Sequence, residues 1–271
     1  TTIKAADLTG NGYLDIIVLS EFGYKLSWFV NNGGNDFDKV QAIYQVPATV
    51  FPVPKIEDFY TADLDNDGDI DLLLHTILGN VFWMANNGSG TFGSPQNISV
   101  SGIINNVHLT DLNTDGYPDL TLALANDLVW LANDGYGNFA AQQSLVSVAP
   151  SNPTFISTAD INGDGFIDIL AGNQTLPGGV ESFVWYTNDG AGNFGAMQLI
   201  SIPSYSSIQF HTNVDLDNDG DMDIVFSYRD DENFIYPLYL AWLQNDGTGS
   251  FGAPQIIYSP VTFFSQPIYF T

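Results

Sequence analysis

The chain has 271 residues, of which 45% are hydrophobic and 14% aromatic, enough for a globular core. Five basic residues oppose 31 acidic ones, and the net charge of −26 argues against nucleic acid and anionic lipid surfaces as partners. Cysteine is absent, which excludes disulfides and thiol catalysis, and no apolar run of about 18 residues predicts membrane insertion. The first residue is not Met and no signal-peptide pattern follows it, as expected of a processed protein or a fragment.

Two motifs recur five times along the chain. The first is an acidic segment of nine residues, such as "DLDNDGDID" at 63–71, and its copies begin at Asp7, Asp63, Asp111, Asp160 and Asp215. The second pairs a Trp with a Phe nine residues later, at 28 and 37, 83 and 92, 130 and 139, 185 and 194, and 242 and 251. These motifs predict repeats at about 1–46, 56–100, 104–148, 153–202 and 207–259, with residues 260–271 left over.

Each repeat has the pattern of four short strands. In the second, "EDFYTA" is the first strand, the acidic segment is a turn, "IDLLLHT" and "NVFWMAN" follow, and "GTFGSPQNIS" leads into the fourth. The Asn-Asn-Gly or Asn-Asp-Gly after each Trp is expected to supply residues that tolerate a left-handed backbone in a tight hairpin. Four-stranded units of about 50 residues predict one all-β domain over 1–271, a β-propeller of about five blades, with a β-solenoid as the alternative.

The pairing of D-x-D-x-D-G-x-x-D with a later "FGSP" at 92–95 or "FGAP" at 251–254 resembles the FG-GAP/VCBS repeats. Such repeats form the propellers of integrin α-subunits and of calcium-containing fungal lectins, and the resemblance covers nearly the whole chain. It implies that each acidic segment joins the first two strands of a blade and holds one calcium ion. Two departures are that the family's rings commonly have seven blades and that the FG element weakens to "FDKV" at 37–40 and "FAAQ" at 139–142.

The acidic segments also have the donor atoms that calcium prefers, six to eight oxygens at about 2.3–2.6 Å. Positions 1, 3, 5 and 9 offer side chains and position 7 its carbonyl. The candidate ligands are Asp63, Asp65, Asp67, Asp69 and Asp71; Asp111, Asn113, Asp115, Tyr117 and Asp119; Asp160, Asn162, Asp164, Phe166 and Asp168; Asp215, Asp217, Asp219, Asp221 and Asp223; and Asp7, Thr9, Asn11, Tyr13 and Asp15.

We expect up to five calcium ions, bound most tightly in the second and fifth loops, which have five carboxylates each. The third and fourth loops have three and the first only two, so the first is expected to be empty or filled only at high calcium. An EF-hand is excluded because its twelfth residue should be Glu, and magnesium is disfavoured because it keeps its waters. Solvated, metal-free turns are the alternative.

Other residues are expected to be structural. The repeated Trp should pack between neighbouring sheets, and His75, His108 and His211 lie at non-equivalent places without metal-ligand spacing. No sequence motif of nucleophilic catalysis or nucleotide binding is present. The four glutamates, at 21, 57, 181 and 232, are only a weak indication of glycoside hydrolysis, which needs a carboxylate pair.

The segments that vary between repeats are the expected binding surface, because propeller scaffolds carry function on irregular connections. The candidate ligand-binding residues are Tyr24, Phe51, Arg229, Asp230, Asp231, Phe234 and Tyr236. We expect a binding or adhesion module for glycans or surface proteins rather than an enzyme. The alternatives are a structural subunit of an extracellular filament or sheath and a carbohydrate-active enzyme.

Calcium loops of moderate affinity stay filled only where calcium is plentiful, so an extracellular or cell-surface location is expected. Asn97 and Asn173 lie in sequons for N-glycosylation. The last residues, 261–271, resemble the first strand of a repeat. They are expected to continue into further blades, to pair with another subunit by strand donation, or to close the ring.

Overall fold

The computed structural model describes residues 2–34, 36–38, 40–46, 55–145, 153, 155–175, 181–200, 202, 207–229 and 238–258. Within these ranges every regular element is a strand, apart from a short 3-10 turn at Glu21–Gly23. The strands form five sheets of four consecutive antiparallel strands, as blades of a β-propeller do. The predicted all-β class and the predicted blade number are therefore confirmed. No helix in the described ranges is long and apolar enough to cross a membrane.

The chain divides into two compact units, residues 1–149 with 190–192 and residues 150–189 with 193–271. The first unit contains the first three blades, and their strands are as follows. The first blade has β1 (Thr2–Ala6), β2 (Asp15–Ser20), β3 (Lys25–Phe29) and β4 (Gln41–Gln45). The second has β5 (Ile56–Ala62), β6 (Asp71–Thr76), β7 (Val81–Met84) and β8 (Gln96–Ile98). The third has β9 (Ile104–Thr110), β10 (Asp119–Leu124), β11 (Asp127–Leu131) and β12 (Gln143–Ser144).

The second unit contains the last two blades. The fourth blade has β13 (Phe155–Ala159), β14 (Asp168–Thr175), β15 (Glu181–Tyr186) and β16 (Gln198–Ile200). The fifth has β17 (Ser207–Val214), β18 (Asp223–Arg229), β19 (Leu238–Leu243) and β20 (Gln255–Tyr258). In each blade the second strand begins at the last aspartate of the acidic segment, so the rest of that segment forms the turn before it.

The second strand is fully buried in the second and third blades. All six residues of β6 and all six of β10 are buried, which agrees with their apolar character on both alternating faces. Strand β2 differs, because buried and half-buried residues alternate along it. The core of each unit therefore lies against the middle strands of its sheets, and the turns are left at the surface.

Consecutive blades within a unit are joined by two repeated contacts. A Cβ on Gly90 would lie 2.0 Å from the Trp28 ring, and one on Gly137 would lie 2.0 Å from the Trp83 ring, so each Trp packs on a glycine of the following blade. Gly249 receives Trp185 in the same way in the second unit. The expectation that these Trp residues pack between sheets is confirmed.

The second contact is a hydrogen bond that reaches back to the preceding blade. The side-chain amide of Asn86 donates to the Leu8 carbonyl over 2.8 Å, and that of Asn133 donates to the Leu64 carbonyl over 2.9 Å. Asn245 repeats the bond to Ile161 over 2.8 Å. The expectation that these Asn-Asn-Gly and Asn-Asp-Gly turns supply residues with a left-handed backbone is confirmed at their glycines, such as Gly88 with φ of +74°. The hydrogen bond from the asparagine to the preceding blade was not predicted.

Candidate functional site

The five acidic segments share one hydrogen-bonded skeleton. In the second, Asp63 accepts a bond from the Gly68 amide over 3.0 Å. Asp71 is fully buried and accepts the amides of Leu64 at 2.9 Å and Asn86 at 2.7 Å. The equivalent last aspartates, which bind the turn to the third strand in the same way, are Asp15, Asp119, Asp168 and Asp223. The ninth position is thus both a candidate ligand and the anchor of the loop.

The backbone of each segment turns sharply at its fourth and sixth residues. The sixth is glycine in all five, with φ between +85° at Gly12 and +99° at Gly220. The fourth also has positive φ, even where it is Asn66 (58°) or the β-branched Thr114 (59°), for which this region is strained. The shared turn gives all five segments the same loop conformation.

The second and fifth loops bring carboxylates together. Oxygens of Asp63, Asp65 and Asp71 lie within 4.8 Å of one another, as do those of Asp215, Asp217 and Asp219. Such groups repel unless a cation lies between them. Burial and the neighbouring Asp67 and Asp63 raise the pKa of Asp65, and burial raises the pKa of Asp71 to about 6.

The second loop also has polar atoms that lack partners. Oδ1 of Asp63 and Oδ1 of Asp65 are buried and make no hydrogen bond. A buried carboxylate oxygen without a partner is costly, and these two belong to the group described above. The donor set and the unpaired oxygens fit a hard divalent cation.

In the loops with fewer carboxylates, the side-chain amide of an asparagine donates a hydrogen bond to a nearby oxygen. In the third, the Asn113 amide donates to Asp115 over 2.9 Å, and Asn162 does the same to Asp164 in the fourth. In the first, the Asn11 amide is directed to the Asn31 carbonyl over 2.9 Å. In the third and fourth loops an amide hydrogen bond therefore occupies a carboxylate oxygen that a cation would otherwise use, as the Gln244 amide does on Asp217 in the fifth loop.

The seventh residue of the loop points its side chain away from the candidate cation position. A Cβ on Gly88 would lie 2.5 Å from the Asp69 carboxylate, and one on Gly247 would lie 2.5 Å from that of Asp221. The rings of Tyr13 and Tyr117 occupy the same place against Gly33 and Gly135. The side chain at this position packs on the turn that follows Trp, which leaves only its carbonyl as a candidate ligand.

Most of the predicted ligand-binding residues lie outside the described part of the chain. These are Phe51, Asp230, Asp231, Phe234 and Tyr236, together with the side chain of Arg229 and the predicted strand at 261–271. Tyr24 is described, and its ring packs on the core of the first unit with Lys55 Nζ 5.3 Å above it. Tyr24 is therefore part of the packing rather than an open platform.

His75 and His211 are buried and His108 is half-buried, and within the described residues none of them belongs to a cluster of metal-ligating side chains. His75 lies on β6 with Nε2 3.5 Å from a Glu57 carboxylate oxygen. The charge of Asp58 raises the pKa of His75 and that of Lys4 lowers it. Burial, the largest cause, lowers the pKa of His75 to about 4. His211 Nε2 lies 2.8 Å from the Ser157 hydroxyl.

A repeated polar residue that sequence analysis missed lies opposite each Trp. The fourth strand of every blade begins with Gln, and each Gln pairs in register with the Trp of the third strand. The pairs are Trp28 with Gln41, Trp83 with Gln96, Trp130 with Gln143, Trp185 with Gln198, and Trp242 with Gln255. All five Gln are exposed. The constant spacing of 13 residues is visible in the sequence, and it could have revealed them.

One of these pairs lines a groove between two blades of the first unit. The groove has a volume of about 270 Å³ and is lined by Trp83 with Gln96, Asn97 and Ser99 of the second blade, and by residues 137–141 of the third. Asn138 and the half-buried Phe139 form part of that second wall. Amide groups that both donate and accept hydrogen bonds therefore surround an aromatic edge without a carboxylate.

The second unit has two other grooves, which are equivalent to each other in the fourth and fifth blades. Each lies between the acidic loop and the turn that follows Trp, with volumes of about 510 Å³ in the fourth blade and about 540 Å³ in the fifth. Asp164 and Asp189 line the first, and Asp219, Asp221 and Asp246 line the second. Their carboxylates make these grooves poorer sites for a neutral ligand than the amide-lined groove of the first unit.

The chain is similar to proteins of known structure and to one family. A family model for FG-GAP-like repeats matches residues 7–74 and 111–171. No curated protein sequence matches the chain significantly. A lectin from Agrocybe aegerita that recognises non-reducing terminal N-acetylglucosamine is 21% identical with a TM-score of 0.66, over 96% of this chain and 67% of that one.

Two further structures have the same fold over most of this chain. A Burkholderia pseudomallei lectin is 17% identical with a TM-score of 0.62, over 94% of this chain and 69% of that one. A V. cholerae biofilm matrix protein is 17% identical with a TM-score of 0.52, over 91% of this chain and 37% of that one. The five four-stranded sheets and these structural similarities show a β-propeller fold, within which residues 7–74 and 111–171 match FG-GAP-like repeats.

Proposed function

We propose that the chain is a glycan-binding module that uses the exposed Gln beside each Trp as a repeated contact. The observation that carries the proposal is the recurrence of an exposed Gln in register with Trp in all five blades. A solvent-facing position has no packing reason to keep one residue type through five repeats. A side-chain amide suits sugar hydroxyls because it both donates and accepts.

The groove beside Gln96 supports a small, neutral ligand. Its volume of about 270 Å³ lies just below the roughly 300–1,000 Å³ of typical drug-sized pockets, which suits a single sugar unit. Asn97 and Asn138 add hydrogen-bonding groups, and Phe139 adds an aromatic edge. Weak sites repeated around one molecule bind multivalent glycans tightly through effective concentration.

We also propose that calcium stabilises this scaffold. Asp63, Asp65, Asp67 and Asp71 with the Asp69 carbonyl would hold one ion, and Asp215, Asp217, Asp219 and Asp223 with the Asp221 carbonyl another. When bound, the ion neutralises carboxylates that otherwise repel one another and fixes the loop. The buried unpaired oxygens of Asp63 and Asp65 support this assignment.

The proposed setting is outside the cell, where calcium is plentiful. The proposed action is binding rather than catalysis, and the similarity to two lectin propellers supports it, although at 21% and 17% identity.

A glycan array in calcium, followed by calorimetric titration of the best ligand, tests the proposal. Gln96→Ala should weaken its site about tenfold, as expected for one lost hydrogen bond of about 1.4 kcal/mol, and replacing all five Gln should abolish binding to multivalent glycan. Gln45→Ala is the matched control, because Gln45 is exposed on β4 but is not the residue paired with Trp28. An array without ligands, or a fivefold variant that binds like the native protein, would refute the proposal.

A further inference from the structure

A second groove adjoins the groove beside Gln96 in the first unit. It has a volume of about 290 Å³ and is lined by residues 79–81, where β7 begins, and by residues 97–100. The first groove, of about 270 Å³, is lined by residues 97–99 as well. Residues 97–99, called here the ridge, therefore separate two grooves of similar volume.

The ridge is open to a ligand along its outer side. It includes the end of β8, which is the last strand of its sheet, and no strand in the described part of the chain pairs with the outer edge of β8. Asn97 and Ser99 are exposed, whereas Ile98 between them is buried in a core cluster. Because successive side chains of an extended chain alternate, Ile98 anchors the ridge while its two polar neighbours remain in solvent.

The second groove offers hydrogen-bonding groups of the same chemistry as the first. Asn80 lines it together with Asn97 and Ser99, and all three are exposed. Within the described residues, the side chains of these three form no hydrogen bond, so their donors and acceptors are available. A side-chain amide both donates and accepts, and among the described residues no carboxylate lines either groove. Both grooves therefore suit the hydroxyl groups of an uncharged ligand.

Hydrogen bonds fix the backbone on both sides of the second groove. Just beyond the ridge, the Gln142 side chain accepts the Ser101 amide over 2.7 Å and donates to the Ser101 carbonyl over 3.3 Å. At the start of β7, the Asn80 amide donates to the Thr76 hydroxyl over 3.2 Å, and the Thr76 amide donates to the Asn80 carbonyl over 2.9 Å. The walls are thus fixed before a ligand arrives, which lowers the entropic cost of binding.

We propose that the two grooves are adjacent subsites of one cleft, and that the ligand is a neutral linear oligosaccharide that crosses the ridge. One sugar unit would contact Gln96 and Asn138 in the first groove, and the next would contact Asn80 in the second, with Asn97 between them. The similar volumes of the two grooves suit one unit each. This inference rests on the proposed glycan function and adds to it the size class of the ligand.

The dependence of binding on chain length tests the inference. The probes are neutral linear oligosaccharides of one to four units on a glycan array, N-acetylglucosamine oligomers among them, and protein from a bacterial host keeps the sequon at Asn97 unmodified. A disaccharide should bind about tenfold more tightly than its monosaccharide, as expected for one more hydrogen bond of about 1.4 kcal/mol, and longer chains should add little. Equal binding of monosaccharide and disaccharide would overturn the cleft but not the Gln96 groove, whereas an array without any neutral ligand would overturn both.

Variants of the second groove assign the second sugar unit. In calorimetric titrations, Asn80→Ala should reduce the ratio of disaccharide to monosaccharide affinity from about ten to about one, whereas Gln96→Ala should lower both affinities. Asn126→Ala is the matched control, because Asn126 is exposed in the turn between β10 and β11 and lines neither groove. A native ratio in Asn80→Ala, or an equal reduction in Asn126→Ala, would overturn the second subsite.

Discussion

Replacing Asp65 by Asn should have opposite effects on stability with and without calcium. Without calcium, burial and the charges of Asp67 and Asp63 raise the pKa of Asp65, and its Oδ1 is buried without a hydrogen bond. An amide removes one charge and can donate to Asp67, as Asn113 donates to Asp115 over 2.9 Å in the third loop. With calcium, the same change removes a ligand.

The magnitudes follow from the cost of an unpaired buried atom and from ligand linkage. An unsatisfied buried group costs about 1–3 kcal/mol, so Asp65→Asn should stabilise the protein in EGTA by about 1 kcal/mol. A site filled at a hundredfold excess over Kd contributes about 2.7 kcal/mol, of which about 2 kcal/mol would be lost if affinity fell a hundredfold. At roughly 2–4 °C per kcal/mol, the melting temperature should fall by about 4–8 °C in calcium.

Differential scanning calorimetry in excess calcium and in EGTA measures both effects. The reciprocal variant Asn113→Asp is the matched control, because it gives the third loop carboxylates at positions 1, 3, 5 and 9, as in the second loop, and should shift stability with the reverse signs. A native melting temperature that EGTA leaves unchanged would refute the calcium account. A shift of Asp65→Asn in the same direction in both buffers would refute the reasoning about the loop.

Two further predictions concern the core. Gly90→Ala places a Cβ 2.0 Å from the Trp28 ring at a φ of +72°, so it should cost about 3 kcal/mol or more in urea unfolding. The control Gly34→Ala, with φ +61° and open space, should cost about 1 kcal/mol, and equal losses would contradict the packing of Trp on glycine. Because the pKa of His75 is lowered to about 4, stability should be full above the unfolded value of 6.5 and fall as the pH drops from 6.5 towards 4. His75→Gln should flatten this slope in chelator-free titrations, except for the part contributed by His108, whose pKa burial also lowers. A His75→Gln variant whose stability depends on pH as steeply as that of the native protein would refute the role of His75.

The strands and the acidic loops were predictable because their signals are local and repeated five times. Position 6 of each loop is glycine and has positive φ, and the second strands that are apolar on both faces, such as β6, are fully buried. The packing of Trp between sheets followed from its place in every repeat. Five copies of each motif in one chain therefore made its place in the blade predictable, which a single copy would not have done.

The contacts between blades were not predictable from local patterns. The bond from Asn133 to the Leu64 carbonyl spans 69 residues, and its donor looked like an ordinary turn residue. The pairing of Trp83 with Gln96 depends on the hairpin register, which the turn sets and the spacing alone does not. The anchoring role of Asp71 was not predictable for a similar reason. Its carboxylate accepts two backbone amides, and backbone partners cannot be recognised from the residue types in the sequence.

A crystal structure of the protein with the saccharide selected by the glycan array tests the central claim most directly. The account predicts saccharide density in the groove between Gln96 and Asn138, with the Gln96 amide in hydrogen-bonding distance of a sugar hydroxyl. Saccharide bound only in the carboxylate-lined grooves of the fourth and fifth blades, or only on residues 230–236, with the Gln96 groove empty, would contradict it.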